Sequence, residues 1–505
     1  MTNPVDQQSI RDLLLRESLP VQAVERTWRA LGHEDWQQAD RALQRMAADP
    51  HVRLALADVA PELLDWARLS ADPAMVLHNL ERFGGASYSP LNLLRYLRTD
   101  PRAAGVLVAL FAGSQFLSEV LIRNPEYFEF LTSDQTLLEN ADPDRVQERL
   151  SQALHAFSAV DSQADAMRRF QRLELLRTGV ADLLGLIDLR AVVARLSDLA
   201  EALVGECVQL AETQTESGGS SASSRLLVCA FGKLGGSELN YSSDLDLLLL
   251  RTEPCPESVA HRLTELLVRN LSQATSEGYL YRVDLRLRPY GRTGPPAPTL
   301  PSFLNYLQHH AALWEQQACL KLRAVAGDES LAAQVLPALE PLVYRERPVG
   351  RSRADIRAMK ARIETQLLRL KDGTNVKLGV GGIRDIEFVV QYLQLEHGSR
   401  CPQVRQRATL EALARLVATG VATEEDCERL RSAYVFLRTV EHRLQMMESR
   451  QVHSLPRERA ELRKLALRTG FADQALPAEV QFDRAYAHHT QTVREIFDRH
   501  LGATS

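Results

Sequence analysis

The chain has 505 residues, 45% hydrophobic and 25% charged, with a formal net charge of −5. That length fills roughly three domains of ordinary size, and the slightly acidic balance leaves no basic field for nucleic acid. Six scattered cysteines without a C-x-x-C pair, an N-terminus lacking a basic-then-apolar signal, and a longest apolar run (Ala103–Gly113) too short for a bilayer point to a cytoplasmic protein with reduced thiols, no zinc centre and no membrane partner.

Residues 1 to about 200 read as a helical array. Apolar residues recur at three- and four-residue spacing in Ser9–Arg16, Trp36–Met46, Leu91–Leu97, Gly105–Ile122 and Ala166–Leu186. Pro61, Pro90, Pro101 and Pro125 fall where helices are expected to start or stop. No fixed-period repeat supports a solenoid. One more helix is expected over Arg190–Thr213. A Gly/Ser-rich segment, 212–225, then predicts a flexible connector.

The densest chemistry follows. Arg225–Gly232 predicts a buried strand, Gly235-Gly236 a turn, and Ser237 the cap of a short helix whose free N–H groups would face a phosphate. Ser243–Arg251 predicts a second strand that opens with Asp244 and Asp246. Residues two apart in a strand share a face, so both carboxylates leave one side while Leu245 and Leu247 enter the other. Such a pair suits a hard divalent cation, although exposed strand ends carry similar pairs without one. A helix over Glu257–Gly278 leads to Tyr279–Arg288, which alternates cleanly. Tyr279, Tyr281, Val283, Leu285 and Leu287 form one face; Arg282, Asp284, Arg286 and Arg288 form the other. That polar face reads either as the charged side of an edge strand or as a third metal ligand among phosphate-binding guanidiniums.

Thr293–Pro301 is a proline-rich loop, and Phe303–Ala326 reads as a helix. Lys321 and Arg323 would meet phosphate together only if that helix has already ended. Ser352–Lys371 predicts a long helix. Asn375–Leu378 looks extended, Gly379, Gly381 and Gly382 break the pattern, and Ile383–His397 is a helix closed by Gly398. Asp385 and Glu387 suit the start of that helix through its dipole. Lys377 and Arg384 are phosphate-binding candidates, as is Lys233 before the glycine turn. From Thr409 the pattern is helical to Leu501, with Arg438 and Glu441 as an i,i+3 pair, on an ion-paired surface or a cleft wall.

The stretches GKLGGSELNYSSDLDL, RVDLRLRPYGRTGP, WEQQACLKLRAVAGD, NVKLGVGGIRDIEF and LRTVEHRLQ occur together and in this order. With LVALFAGSQFLSEVLIRNPE and FQRLELLRTGVADLLGL they span more than half of the chain. In these motifs it resembles the bifunctional glutamine synthetase adenylyltransferase/adenylyl-removing enzymes of the DNA polymerase beta-like nucleotidyltransferase superfamily. The resemblance implies an α+β, predominantly helical fold. A small nucleotidyltransferase sheet unit (212–300) would lie between a helical region (1–211) and a second one (301–505) whose GGIRDIEF block completes the cleft.

The resemblance also implies Mg²⁺, as two ions, held by the catalytic residues Asp244, Asp246 and Asp284. It implies nucleotide or phosphate contacts from Gly232, Lys233, Gly235, Gly236, Ser243, Arg282, Arg286, Arg288, Lys321, Arg323, Lys377 and Arg384. The glycine pair lies closer to Asp244 than is common in that superfamily. Family proteins carry two such units. One removes AMP from a tyrosine of glutamine synthetase by phosphorolysis, giving ADP; the other attaches AMP from ATP. This chain holds one copy of each motif, and RPYGRTGPP, GGIRDIEF, SPLNLLRYLRTD and RNPEYFEFL resemble the removing unit. Implied partners are adenylylated glutamine synthetase, phosphate, ADP or ATP, and the PII nitrogen-signal protein. The alternatives are the attaching direction, a non-catalytic module that binds PII or glutamine synthetase, and a polymerase-like enzyme, which the missing basic surface disfavours.

Overall fold

In the computed structural model, which describes residues 5–138, 143–215, 225–348, 350–370, 374–448 and 452–502, a small sheet forms the seam between two helical layers. The strands are β1 (Leu226–Ala230), β2 (Leu245–Arg251), β3 (Val283–Asp284) and β4 (Arg323–Gly327). Their order is β3-β2-β1-β4. β1 runs antiparallel to β2 and β4, and β2 runs parallel to β3. The fold is α+β and predominantly helical.

Strand alternation builds the seam. Leu226, Val228, Ala230, Leu245, Leu247 and Leu249 pack into the core shared with the helices before the sheet. Leu227, Cys229, Leu248 and Leu250 pack into the core of the helices that follow it. None of these side chains is more than 1% exposed. A strand covered on both faces has no polar side to show, which is why LLVCA and LLLL read as unbroken apolar runs. The helix Glu424–Glu448 also reaches the first layer: the Ser114 hydroxyl donates to Met446 O at 2.7 Å, and Arg443 pairs with Asp182 at 2.6 Å.

Capping side chains define the helices of the first layer. Asp49, Asp72, Ser89 and Asp100 each accept backbone N–H groups just ahead of Pro50, Pro73, Pro90 and Pro101. Pro61 departs from expectation and lies inside the helix Pro50–Leu69. The buried Ala60, Leu63 and Leu64 around it hold that turn in place despite the lost hydrogen bond. The helix expected over Gly105–Ile122 is two, Pro101–Gly113 and Gln115–Arg123, because Ser114 caps the second by accepting from Leu117 N.

Three other expectations change. The strand expected over Tyr279–Arg288 is only β3, because the Asp284 carboxylate accepts from Arg286 N at 2.8 Å and turns the chain. The helix expected over Phe303–Ala326 is two short helices, Leu300–His309 and Leu313–Ala318, then β4, since β1 needs an outer partner. The helix from Glu257 stops at Ser272. Of the Gly/Ser segment, residues 212–215 finish the helix Leu189–Thr215, and 216–224 lie outside the described residues.

Replacing Leu248 with alanine opens a cavity where the sheet meets the second layer. The expected loss is ~2–5 kcal/mol of unfolding free energy, measured by denaturant titration.

Candidate active site

Asp244 immediately precedes β2, Asp246 is its second residue, and Asp284 ends β3. The parallel register sets Asp246 opposite Asp284. Asp246 shares a face with Leu248 and Leu250, but lies at the strand start, where the second layer leaves it only partly covered. Burial raises the Asp246 carboxyl pKa, and the charges of Asp284 and then Asp244 add to the rise. Lys377 and Arg384 act on it in the opposite direction.

The outer two carboxylates have found arginines. Asp244 pairs with Arg282 at 2.5 Å, and Asp284 pairs with Arg286 at 2.5 Å. The hydrogen bond from Arg286 is the main reason that the Asp284 carboxyl lies below its ordinary range. With those side chains so turned, no group of three His, Cys, Asp or Glu among the described residues stands in a ligating arrangement. The donor set nonetheless fits a hard cation: all the atoms are carboxylate oxygens, and the charge of the central group is disfavoured first by burial and then by its acidic neighbours, which a divalent ion would offset.

The glycines serve this mouth differently from expectation. The helical turn is Gly232–Gly235, so Gly235-Gly236 close it rather than precede a helix. Ser237 is not an N-cap. It takes the left-handed conformation (φ 53) of a Schellman stop, with Ser237 N donating to Leu234 O and Glu238 N to Lys233 O at 2.7 Å. Gly232 (φ +55) lies against the acids, since a Cβ there would stand 2.8 Å from Asp246 Oδ2. Gly235 is needed for packing, as its Cβ would stand 2.0 Å from Lys321 O. Ser243 Oγ accepts from Asn240 N at 3.1 Å and shapes the turn into β2.

Cations gather on the facing elements. Lys233 Nζ lies 3.1 Å from Glu441, and burial pushes its pKa down to about 7 against the pull of that carboxylate. Arg384 lies 3.4 Å from Glu387 with its guanidinium over the Phe388 ring. Burial alone would raise the Glu387 carboxyl, but Lys321, Arg384, Lys377 and Arg438 hold it at about 2. Lys377 and Arg384 flank the glycine loop, and a buried clamp fixes that loop. Lys360, 3% exposed, donates to Leu378 O and Gly379 O at 3.3 Å and pairs with Asp385, whose other oxygen accepts from Gly381 N at 2.8 Å. Asp385 therefore does more than complement a helix dipole. Gly381 (φ +71) has no room for a side chain, since its Cβ would stand 1.9 Å from Thr490 O.

Three predicted phosphate contacts are engaged inside the fold. Lys321 is buried, pairs with Glu238 and donates to Thr409 Oγ1 at 3.1 Å. Arg323 bonds Glu201 at 2.7 Å and Leu234 O at 3.0 Å. Arg323 opens β4 along the edge of β1, and Lys321 closes the turn just before it. Arg288 bonds Leu285 O, Arg292 O and Gly294 O and braces the turn after β3. Arg282 and Arg286 remain at the mouth as the partners of Asp244 and Asp284.

The floor was the least visible part. Glu441 is 0% exposed and is met by Lys233, by Arg438 at 3.4 Å and by His453 at 3.1 Å. Burial opposes its charge, yet Lys233, His453, Arg438 and Lys377 keep its carboxyl well below the ordinary range. Arg438, 1% exposed, donates to Glu238 O at 2.7 Å and Asn240 Oδ1 at 2.6 Å, which ties the floor to the turn before β2. His442 lies 2.9 Å from the same Asn240 oxygen, and burial together with Arg438 keeps it neutral. The one sequence signal was Arg438, Glu441 and His442 interleaved with Leu437, Val440 and Leu444 on a helix apolar on more than one side.

Residues 104–338 match the glutamate-ammonia ligase adenylyltransferase family, and residues 357–501 match the PII-uridylyltransferase family. A bifunctional glutamine synthetase adenylyltransferase/adenylyl-removing enzyme of Streptomyces avermitilis is 32% identical over 93% of this chain and 46% of its own length. The protein of that name from Streptomyces coelicolor is 33% identical over 91% of this chain and 47% of its own. The one from Xanthobacter autotrophicus is 36% identical over 75% and 40%. The chain thus spans about half the length of the curated relatives it matches.

Two measurements check the electrostatics. A carboxyl whose folded pKa lies above its unfolded value costs stability, and the cost grows as pH climbs from the unfolded value through the folded one. Asp246→Asn should therefore raise the melting temperature of the metal-free protein at pH 7, with the gain vanishing at pH 3; an unchanged or lower value at pH 7 contradicts the combined effect of burial and like charge on Asp246. Lys360→Met leaves Asp385 buried without its cation and should cost ~3–5 kcal/mol in denaturant titration.

Proposed function

Since the chain belongs to the family of bifunctional glutamine synthetase adenylyltransferase/adenylyl-removing enzymes, we propose that its cleft is a nucleotidyl-transfer site and that it removes AMP from adenylylated glutamine synthetase. The observation that carries the first part is the register of Asp246 beside Asp284, with Asp244 two residues away and the charges of Lys377 and Arg384 acting on Asp246. The removing direction is supported by the likeness of RPYGRTGPP and GGIRDIEF to the removing unit of the family. PII is proposed as a signalling partner, supported by the match of 357–501 to the PII-uridylyltransferase family.

In the reaction, a hydrogen phosphate oxygen attacks the phosphorus of the AMP–tyrosine diester. A new P–O–P bond forms, the bond to the tyrosine oxygen breaks, and ADP is the product. The proton of hydrogen phosphate ends on the tyrosine oxygen, so charge and atoms balance. Asp244, Asp246 and Asp284 would hold Mg²⁺, which supplies neutralisation of the phosphate oxygens and of the leaving oxygen. Lys233, Lys377 and Arg384 bind and orient the anions with charge-assisted hydrogen bonds. An arriving phosphate strengthens the protonated form of Lys233, whose ammonium burial otherwise disfavours. Glu441 holds that ammonium in place from below. Arg282 and Arg286 pair with Asp244 and Asp284, and would be available to phosphate where those carboxylates hold Mg²⁺.

Two reaction mixtures test the reading. In adenylylated glutamine synthetase with phosphate and Mg²⁺, the chain should release ADP; in unmodified glutamine synthetase with ATP, it should release no pyrophosphate. Activity in the second mixture alone reverses the direction. Asp244→Asn and Asp246→Asn should each lower the rate by several powers of ten while the circular dichroism spectrum stays native, and a folded variant that keeps its rate removes the metal-binding role.

A further inference from the structure

A cavity of about 270 Å³ opens between the helices Gln115–Arg123 and Val160–Leu183 and the two segments that carry the acids, 239–243 and 277–282. It adjoins the reaction centre directly. Ser243, at its wall, is the neighbour of Asp244, and Arg282, also at its wall, is the partner of Asp244. Lys233, Lys377 and Arg384 do not line it; its own guanidiniums are Arg123, Arg172 and Arg282, of which Arg172 pairs with Glu277 and Arg282 with Asp244. Phe116, Leu175, Tyr279 and Leu280 supply apolar and aromatic surface, the Arg172–Glu277 pair supplies a charged one, and Arg123 stands exposed at the rim.

Displacement at phosphorus runs in line, with attacking and leaving oxygens on opposite sides. Of the groups that meet at this phosphorus, nucleotide and inorganic phosphate are anions and belong with the cationic elements. The remaining one is a phenol, a flat apolar ring with a polar tip. It needs an apolar, aromatic-lined slot that ends at the metal-binding carboxylates. This cavity has that chemistry in that place, and the Tyr279 hydroxyl, accepting from Arg282 at 3.2 Å, links its wall to Asp244.

We propose that this cavity receives the modified tyrosyl side chain of the protein substrate and the residues flanking it, with Arg123 favouring an acidic flank. The proposal rests on the nucleotidyl-transfer reading above. Phe116 and Arg123 are then specificity-determining residues contributed by the first helical layer, which explains why that layer is docked beside the sheet rather than tethered to it.

The test uses the full chain and a synthetic peptide carrying O-adenylyl-tyrosine with acidic flanks. Phe116→Ala and Arg123→Glu should each raise the KM for the peptide, and its equilibrium Kd by fluorescence anisotropy, roughly tenfold. The Kd for Mg·ADP by calorimetry should stay within about twofold of wild type. Arg123 is exposed, so its variant tests the idea even if Phe116→Ala folds poorly. Weakened ADP binding with an unchanged peptide Kd assigns the cavity to the adenine and overturns the proposal; so do unchanged values for both. If the wild-type chain turns over neither reaction mixture, the reading of the reaction falls. The anisotropy series still decides the cavity: tenfold weaker peptide binding in the variants supports it, and equal binding removes it.

Discussion

Like charge held close at the partly covered start of a buried strand is the constraint around which this protein is built. Asp246 sits opposite Asp284 and two residues after Asp244, on a strand whose next four side chains are fully buried. Two helical layers cover the strand beyond Asp246 and leave the acids only partly open to water. Arginines relieve the repulsion at the edges, through Arg282 and Arg286, and leave the middle carboxylate strained. That is the condition of a site which gains stability only when it meets a cation and an anionic ligand.

The second helical layer supplies the complementary charge and fixes it from beneath. Glu441 gathers Lys233, Arg438 and His453 around one fully buried carboxylate, and Lys360 with Asp385 fastens the glycine loop between Lys377 and Arg384. Buried pairs of this kind add little net stability over apolar packing, but breaking one leaves a bare charge. Their effect here is geometric. Arg438 reaches Glu238 O and Asn240, so the turn that aims β2 and the floor that holds Lys233 move as one body. The first layer joins the same body through Asp182, which pairs with Arg443 and accepts from Tyr241.

Much of this was legible from local pattern. The apolar runs of β1 and β2, the Asp244 and Asp246 pair, the break at Gly379–Gly382 and most helix starts follow from periodicity, capping and glycine punctuation. What stayed hidden depends on distant partners. β4 looks helical in sequence because only β1 makes it a strand. The short β3 was overestimated because Asp284 competes for Arg286 N and ends the alternation. Lys321 and Arg323 carry the composition of phosphate ligands, but Glu238 and Glu201, about 80 and 120 residues earlier in the chain, claim them. Glu441 read either as ion-paired surface or as a cleft wall, because burial by another layer leaves no mark on a helix's own spacing.

Anomalous scattering from Mn²⁺ in crystals of the full chain grown with ADP tests the central claim most directly. The account predicts metal density bounded by carboxylate oxygens of Asp244, Asp246 and Asp284, with Arg282 and Arg286 swung away from them. Density elsewhere, or Asp284 still bound to Arg286 beside an ordered nucleotide, would contradict it.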